Sequence, residues 1–285
     1  MSSAAETFIP VKQRGIARVV SGMPTQDGAG VKLTRLIGTP QLSNVDPFLM
    51  LDAFGSDNPN DYIAGFPEHP HRGFETVTYM IEGSIAHADN HGGKGLVTDG
   101  GVQWMTAGSG VAHSEMPAQT NGRMFGFQLW INLPANEKMR SPWYADIPGS
   151  AIPSFEVDGA TIKLIAGEWN GFKGPGPERI TAPFIADVKL AAKGVANVPL
   201  PEDHSGFLYV FEGALQVRST DISTGHIGVL SDGGSLQASA GANGARFLVV
   251  AGKPLREPIA KYGPFVMNTQ DEIRQAISDY QSGRF

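Results

Sequence analysis

The seven histidines of the chain are His69, His71, His87, His91, His113, His204 and His226, and five of them lie between positions 69 and 113. In EHPHRGFETVTYMIEG, His69 and His71 stand two residues apart. Residues i and i+2 of an extended chain point to the same face, so this spacing predicts two imidazoles looking into one interior. His113 and Glu115 in GSGVAHSEMP repeat the spacing. Were the two strands neighbours, three imidazoles and a carboxylate would converge. That donor set suits a divalent first-row transition metal and leaves open positions for water, substrate or dioxygen, a catalytic more than a structural pattern. Each piece also has a plainer reading: the HxH pair, flanked by Pro67 and Pro70, is a polar turn before a strand, and His113 is a core histidine bonded to a backbone carbonyl.

The rest of the composition narrows the chemistry. Cysteine is absent, which excludes disulfides, thiolate metal sites and cysteine nucleophiles, so any metal must be held by nitrogen and oxygen. A formal net charge of −6 leaves no excess of cations for phosphate neutralisation and argues against direct nucleic-acid binding. The opening MSSAAETFIPVKQRG has no apolar leader, and no stretch approaches about 18 consecutive apolar residues, so a cytoplasmic protein without a membrane partner is expected.

The elements that must position the histidines read as all-β. From Gly15 to about Leu133, short apolar runs such as PFLMLDAF, FETVTYMIEG and FQLWINLP are cut by glycine, proline, asparagine or aspartate, without sustained helical periodicity. A stretch with prolines at 142, 148, 153, 175, 177 and 183 reads as strand fragments plus a connection, and a second β-rich run follows. The expected division is an N-terminal metal-binding barrel over 1–135, a connecting segment over 136–180, and a C-terminal metal-free barrel with a helix over 181–285. Both are expected to be antiparallel, jelly-roll-like barrels. The second holds only His204 and His226 and so lacks a ligand set. At the end, Thr269 with Glu272 fits a capping box, Ile273, Ile277 and Tyr280 recur at helical spacing, and Gly283 can close a short helix that packs on a barrel.

The run from Gly65 through His69, His71 and Glu75 to Gly83 resembles the first cupin motif, and Gly108, Gly110 and His113 resemble the second. The roughly 40 residues between the HxH pair and His113 suit a hairpin that brings the two strands together. The strings LSNVDPFLMLDAF, FPEHPHRGFETVTYMIEG, QWMTAGSGVAHSEMP, FQLWINLP and AGKPLREPIAKYGPFVMNTQDEIRQAI are more specific, and resemble the pirin family from about residue 15 onward. The resemblance implies a bicupin with a single iron in the N-terminal barrel, held by His69, His71, His113 and Glu115. Two departures from the general cupin pattern stand out: Gly108 replaces the usual proline of the second motif, and seven residues rather than six separate Glu75 from Gly83. Glu75 occupies the place of the usual cupin glutamate ligand. Both glutamates share the parity of their own histidines, so periodicity leaves the choice open, and the resemblance favours Glu115.

The other candidates take plainer roles. His87 and His91, at a turn, are expected in solvent or hydrogen-bonded behind the site. Arg72 has the opposite parity to its neighbouring histidines and is expected in a salt bridge or at the barrel mouth. Trp104, Met105, Phe127 and Trp130 could line an apolar substrate cavity beside the metal, but core packing is the commoner fate of such residues and they are given no site role. No P-loop, Rossmann glycine run or Ser/His/Asp motif is present.

The resemblance implies two kinds of function. Some bacterial pirins are similar to quercetinases, dioxygenases that open flavonols, so a small aromatic substrate and dioxygen are the expected partners. Glu115 would then be ligand and proton acceptor together. Eukaryotic pirins are transcription cofactors and some bacterial relatives modulate metabolic enzymes, which implies an iron-dependent module with a protein partner. The metal itself stays open: iron(II) is implied, while zinc and copper outrank it on intrinsic affinity, and manganese, cobalt and nickel also fit the donors.

Overall fold

The computed structural model describes residues 12–285, so most of the N-terminal segment read for a leader lies outside the described residues. Among the described residues no helix is long and apolar enough to cross a membrane. Two antiparallel β lobes and one C-terminal helix account for the architecture, as the short apolar runs predict.

In the first lobe a seven-stranded sheet has Val102–Thr106, Phe74–Glu82, Met124–Asn132 and Phe48–Ser56 as its central strands. It faces a four-stranded sheet ordered Phe66–His71, Val111–Pro117, Ile85–Asp89 and Lys94–Val97. The strands bearing the histidines are neighbours, but not through a hairpin. Four strands lie between them in sequence.

Alternation along the seven-stranded sheet divides its residues between two tasks. Leu51, Val77, Tyr79, Phe127 and Leu129 join Ile185, Phe207, Tyr209, Leu248 and Val250 of the second lobe in one shared apolar core. The intervening Asp52, Thr78, Gln128 and Trp130 face the first lobe's own interior, which is polar and aromatic. The second lobe fills the equivalent space differently. Ala186, Val188, Leu208, Val210, Phe247 and Val249 close it with hydrocarbon, each large side chain contributing on the order of 1.5–3 kcal/mol by burial.

The chain crosses between lobes at several points. Ile16–Ser21 pairs with His226–Leu230 in the second lobe's sheet. Trp143–Ile147 extends the first lobe's sheet, whereas Ser154–Val157 and Ala160–Ala166 extend the second's, so residues 136–180 supply strands to both. After the second lobe, the hairpin of Ala260–Tyr262 and Phe265–Met267 returns to the first, packing Val266 among Leu49, Met50, Phe74 and Trp130. The buried Lys138 amine donates to the Gly73 and Val266 carbonyls and to Asn132 Oδ1, tying this hairpin down. Gly73 has φ +88°, and any Cβ there would collide with the Val266 carbonyl, so only glycine allows the approach. The helix Gln270–Gln281 opens with the expected capping box between Thr269 and Glu272 and buries Ile273 and Ala276.

Candidate metal centre

Val111–Pro117 runs antiparallel to Phe66–His71 with His113 directly opposite His69. His69 and His71 share a face as their spacing demands, with ring centroids 4.7 Å apart, and the His113 ring lies 4.5 and 5.0 Å from them. One ligand-capable nitrogen from each ring falls within 4.8 Å of the others.

The details fit a metal. His113 Nε2 is 3.1 Å from His69 Nε2. Two nitrogens bound at right angles to one metal at about 2.1 Å would be about 3.0 Å apart. His69 Nδ1 donates to the Pro67 carbonyl at 2.8 Å, which leaves the lone pair on Nε2. Both ring nitrogens of His71 are buried without a hydrogen-bond partner, a costly arrangement unless something accepts the lone pair. Burial first, then the two neighbouring imidazoles, pushes the His71 pKa well below the ordinary value. Burial likewise lowers His113 to about 4. Both rings are therefore neutral at pH 7, the form in which imidazole ligates.

Glu115 is buried beside this cluster, with Oε2 3.9 Å from His113 Nε2. Gln128 Nε2 donates to both carboxylate oxygens at 3.1 and 2.8 Å, and the Thr78 hydroxyl donates to Oε1 at 3.1 Å. These three hydrogen bonds from two side chains fix the orientation of the carboxylate. Glu75 goes elsewhere. The positive φ of Gly73 interrupts the chain between His71 and Phe74, so the parity of the HxH pair does not carry across. Glu75 shares the face of Val77 and Tyr79 toward the second lobe, where it accepts from Arg179 Nε at 2.7 Å and from the Thr106 hydroxyl. Gly108, the other departure, has φ +51°, a conformation the proline ring forbids.

The remaining candidates sort cleanly. His87 is buried opposite Glu115 on the adjoining strand and bonds to Asp146 at 2.9 Å, while His91 is exposed. His204 and His226 stay in the second lobe, remote from the three-histidine group in the fold. Arg72 turns away from the histidines to pair with Asp279 at 2.8 Å, as its parity predicts. Trp104 and Phe127 belong to the shared core and Met105 packs on Ala107 and Val111.

A cavity of about 790 Å³ opens onto His69 and His71 and is walled by Met50, Phe54, Gln128 and Trp130, with Arg35, Asp52 and Lys261 also on its surface. Sequence reasoning gave none of these seven wall residues a site role and weighed only Trp130 as a residue that could line a cavity. For Gln128 and Trp130 a signal existed in the alternation of FQLWINLP. None existed for Lys261, which arrives from the far end of the chain.

Comparisons with known proteins bear on the family and the fold. Residues 30–131 match the family described as Pirin, and residues 185–285 match the Pirin C-terminal cupin domain. A protein of Pseudomonas aeruginosa named "Putative quercetin 2,3-dioxygenase" is 49% identical over 95% of this chain and 98% of its own length. A pirin-like protein of Caulobacter vibrioides is 46% identical, covering 95% of this chain and 99% of its own. The crystal structure of a quercetin 2,3-dioxygenase from Acinetobacter baumannii superposes with a TM-score of 0.90 at 35% identity, over 96% of this chain and 99% of that one. With both lobes matched and relatives alike over nearly their whole length, the chain belongs to the pirin family and has its two cupin domains.

Proposed function

We propose that this protein is a metal-dependent flavonol dioxygenase of the quercetin 2,3-dioxygenase kind. In this reading His69, His71, His113 and Glu115 hold one divalent transition metal, iron(II) ahead of zinc, manganese, cobalt, nickel or copper. The observation that carries it is the meeting of three imidazoles, two of them on the wall of a cavity sized for a small molecule, beside a buried carboxylate. The names of relatives at 49% and 35% identity support the substrate class.

A bound dication would acidify the flavonol's 3-hydroxyl and make the resulting enolate available to dioxygen. The chain's own residues supply the rest. Glu115, held in place by Gln128 and Thr78, accepts the hydroxyl proton at Oε2, the oxygen facing His113. A carboxylate held tightly by a dication is a weakened base, so ligand and base roles compete. A Glu115 that shifts between the imidazoles and the Gln128 amide satisfies both. Met50, Phe54 and Trp130 line the cavity with apolar surface that accommodates aromatic rings and keeps water from the reacting carbon.

The test is oxygen-dependent turnover of quercetin by iron(II)-loaded protein, with one dioxygen consumed and one carbon monoxide released per flavonol. Activity should vanish in His113→Ala and without oxygen. Loss of quercetin no faster than with free metal overturns the reading and leaves a protein-binding, regulatory role for the site.

A further inference from the structure

We propose that Lys261 is the anion-recognising group of this cavity, binding an ionised hydroxyl or carboxylate of the occupant at a point separate from the histidines. The proposal rests on the function above only in taking the occupant to be flavonol-like.

Two cations line the cavity, Arg35 and Lys261. Arg35 is already paired with two carboxylates. Its Nε and Nη2 bond both Asp52 oxygens at 2.8 and 2.7 Å, and Nη2 also reaches Asp27 at 2.8 Å. Lys261 has no such commitment: among the described residues it has neither a hydrogen-bond nor an ion-pair partner, and only Arg35 and Asp52 act on it through space. Its amine is nonetheless placed. Nζ lies 5.1 Å from the centre of the Trp130 ring, a cation–π distance, and Trp130 is in turn fixed against Phe74 at 4.2 Å and His71 at 5.3 Å. The backbone of Lys261 belongs to the returning hairpin, whose Val266 is packed into the first lobe and held by Lys138.

A lysine serving only solubility would have no need of this seat beside another cation. Lys261 keeps an exposed side at the cavity edge, yet desolvation, then the Arg35 guanidinium, lowers its pKa from the ordinary lysine value. An anion entering between the two cations relieves that repulsion and supplies the missing partner. Arg35, bound by two carboxylates, offers little in competition. Trp130 also joins this point to the candidate centre, since its Nε1 donates to Gln128 Oε1 at 3.4 Å and Gln128 holds Glu115.

The experiment compares two probes, 3-hydroxyflavone and 3,7-dihydroxyflavone, which differ by one acidic hydroxyl away from the 3-position. Binding is measured by calorimetry without oxygen on the iron(II)-loaded wild type, Lys261→Met and Lys261→Arg. The wild type should prefer the dihydroxy compound by about tenfold. Lys261→Met should lose that preference while binding 3-hydroxyflavone unchanged, and Lys261→Arg should keep it. The proposal is overturned if the wild type binds neither compound or both equally, or if Lys261→Met retains the preference. A wild-type preference that Lys261→Met abolishes, together with no oxygen-dependent turnover, supports Lys261 and sinks the dioxygenase reading alone.

Discussion

Arg72 and Asp279, 207 residues apart in sequence, form a 2.8 Å ion pair that fastens the C-terminal helix to the strand of His69 and His71. Arg72 also donates Nε to the Ser109 carbonyl, lies 4.4 Å over the Phe285 ring, and exchanges backbone hydrogen bonds with Pro264 and Val266. One residue points a ligand candidate into the cavity and its neighbour anchors the segment that brings Lys261 there. Asp279→Asn leaves a nearly buried guanidinium without its carboxylate and should cost about 1–3 kcal/mol. Hydrogen exchange should accelerate over residues 260–285 while the shared core stays protected. Hydrogen bonds from Arg72 and Arg284 hold the Asp279 pKa below the usual carboxylate range. This contribution is therefore complete above the ordinary carboxylate pKa and is lost as pH falls through the depressed one.

The two glutamates should separate stability from metal binding. Glu75→Gln weakens the pairing of Arg179, whose side chain is only 11% exposed, and should lower unfolding stability by about 2–4 kcal/mol with metal content unchanged. Glu115→Gln keeps the shape beside Gln128 but removes the charge, and should lower metal affinity at least tenfold. Denaturant unfolding and metal titration on both variants decide. The reverse pattern would return the ligand role to Glu75.

Lys138 should reveal its burial through pH. Its amine donates to three uncharged acceptors, and burial pushes its pKa down to about 8. Between about 8 and the unfolded value of about 10.5 the unfolded chain binds more protons than the folded one, so stability rises with pH there. The gain is at most about 1.4 kcal/mol per pH unit. Lys138→Met should be destabilised at pH 7 and fall further behind the wild type at pH 10. Parallel pH profiles for the two proteins would refute the assignment.

What the sequence conveys well is what strand geometry fixes locally. The HxH pair and the His113–Glu115 pair each lie on an extended strand, so i, i+2 spacing determines their facing, and Thr269 with Glu272 announces the helix start. Parity fails at Gly73, where a positive φ resets the alternation, and for that reason Glu75 could not be separated from Glu115 by counting. The adjacency of the two histidine strands depends on four intervening strands, and the arrival of Lys261 depends on a return from the other lobe. Those are consequences of sheet closure and long-range packing, which no local pattern encodes.

The stoichiometry should be one metal per chain, because the two lobes spend the same inward positions on different chemistry. In the first, the interior strands bring Thr78, Gln128 and Trp130 against three imidazoles and a carboxylate. In the second, Ala186, Val188, Leu208, Val210, Phe247 and Val249 occupy the interior and leave no donor. His71→Ala should therefore bind metal weakly or not at all, and no residual equivalent should survive in the second lobe. The same variant should stay folded, since the shared core and the second lobe's interior are apolar burial that metal does not supply. Metal present at a hundredfold its dissociation constant adds only about 2.7 kcal/mol. The expected result is a cooperative melt at a lower temperature for metal-free wild type and for His71→Ala alike, with elemental analysis giving one equivalent in the loaded wild type. Two tightly held equivalents would contradict the division between lobes, and a chain unfolded without metal would make the centre structural rather than catalytic.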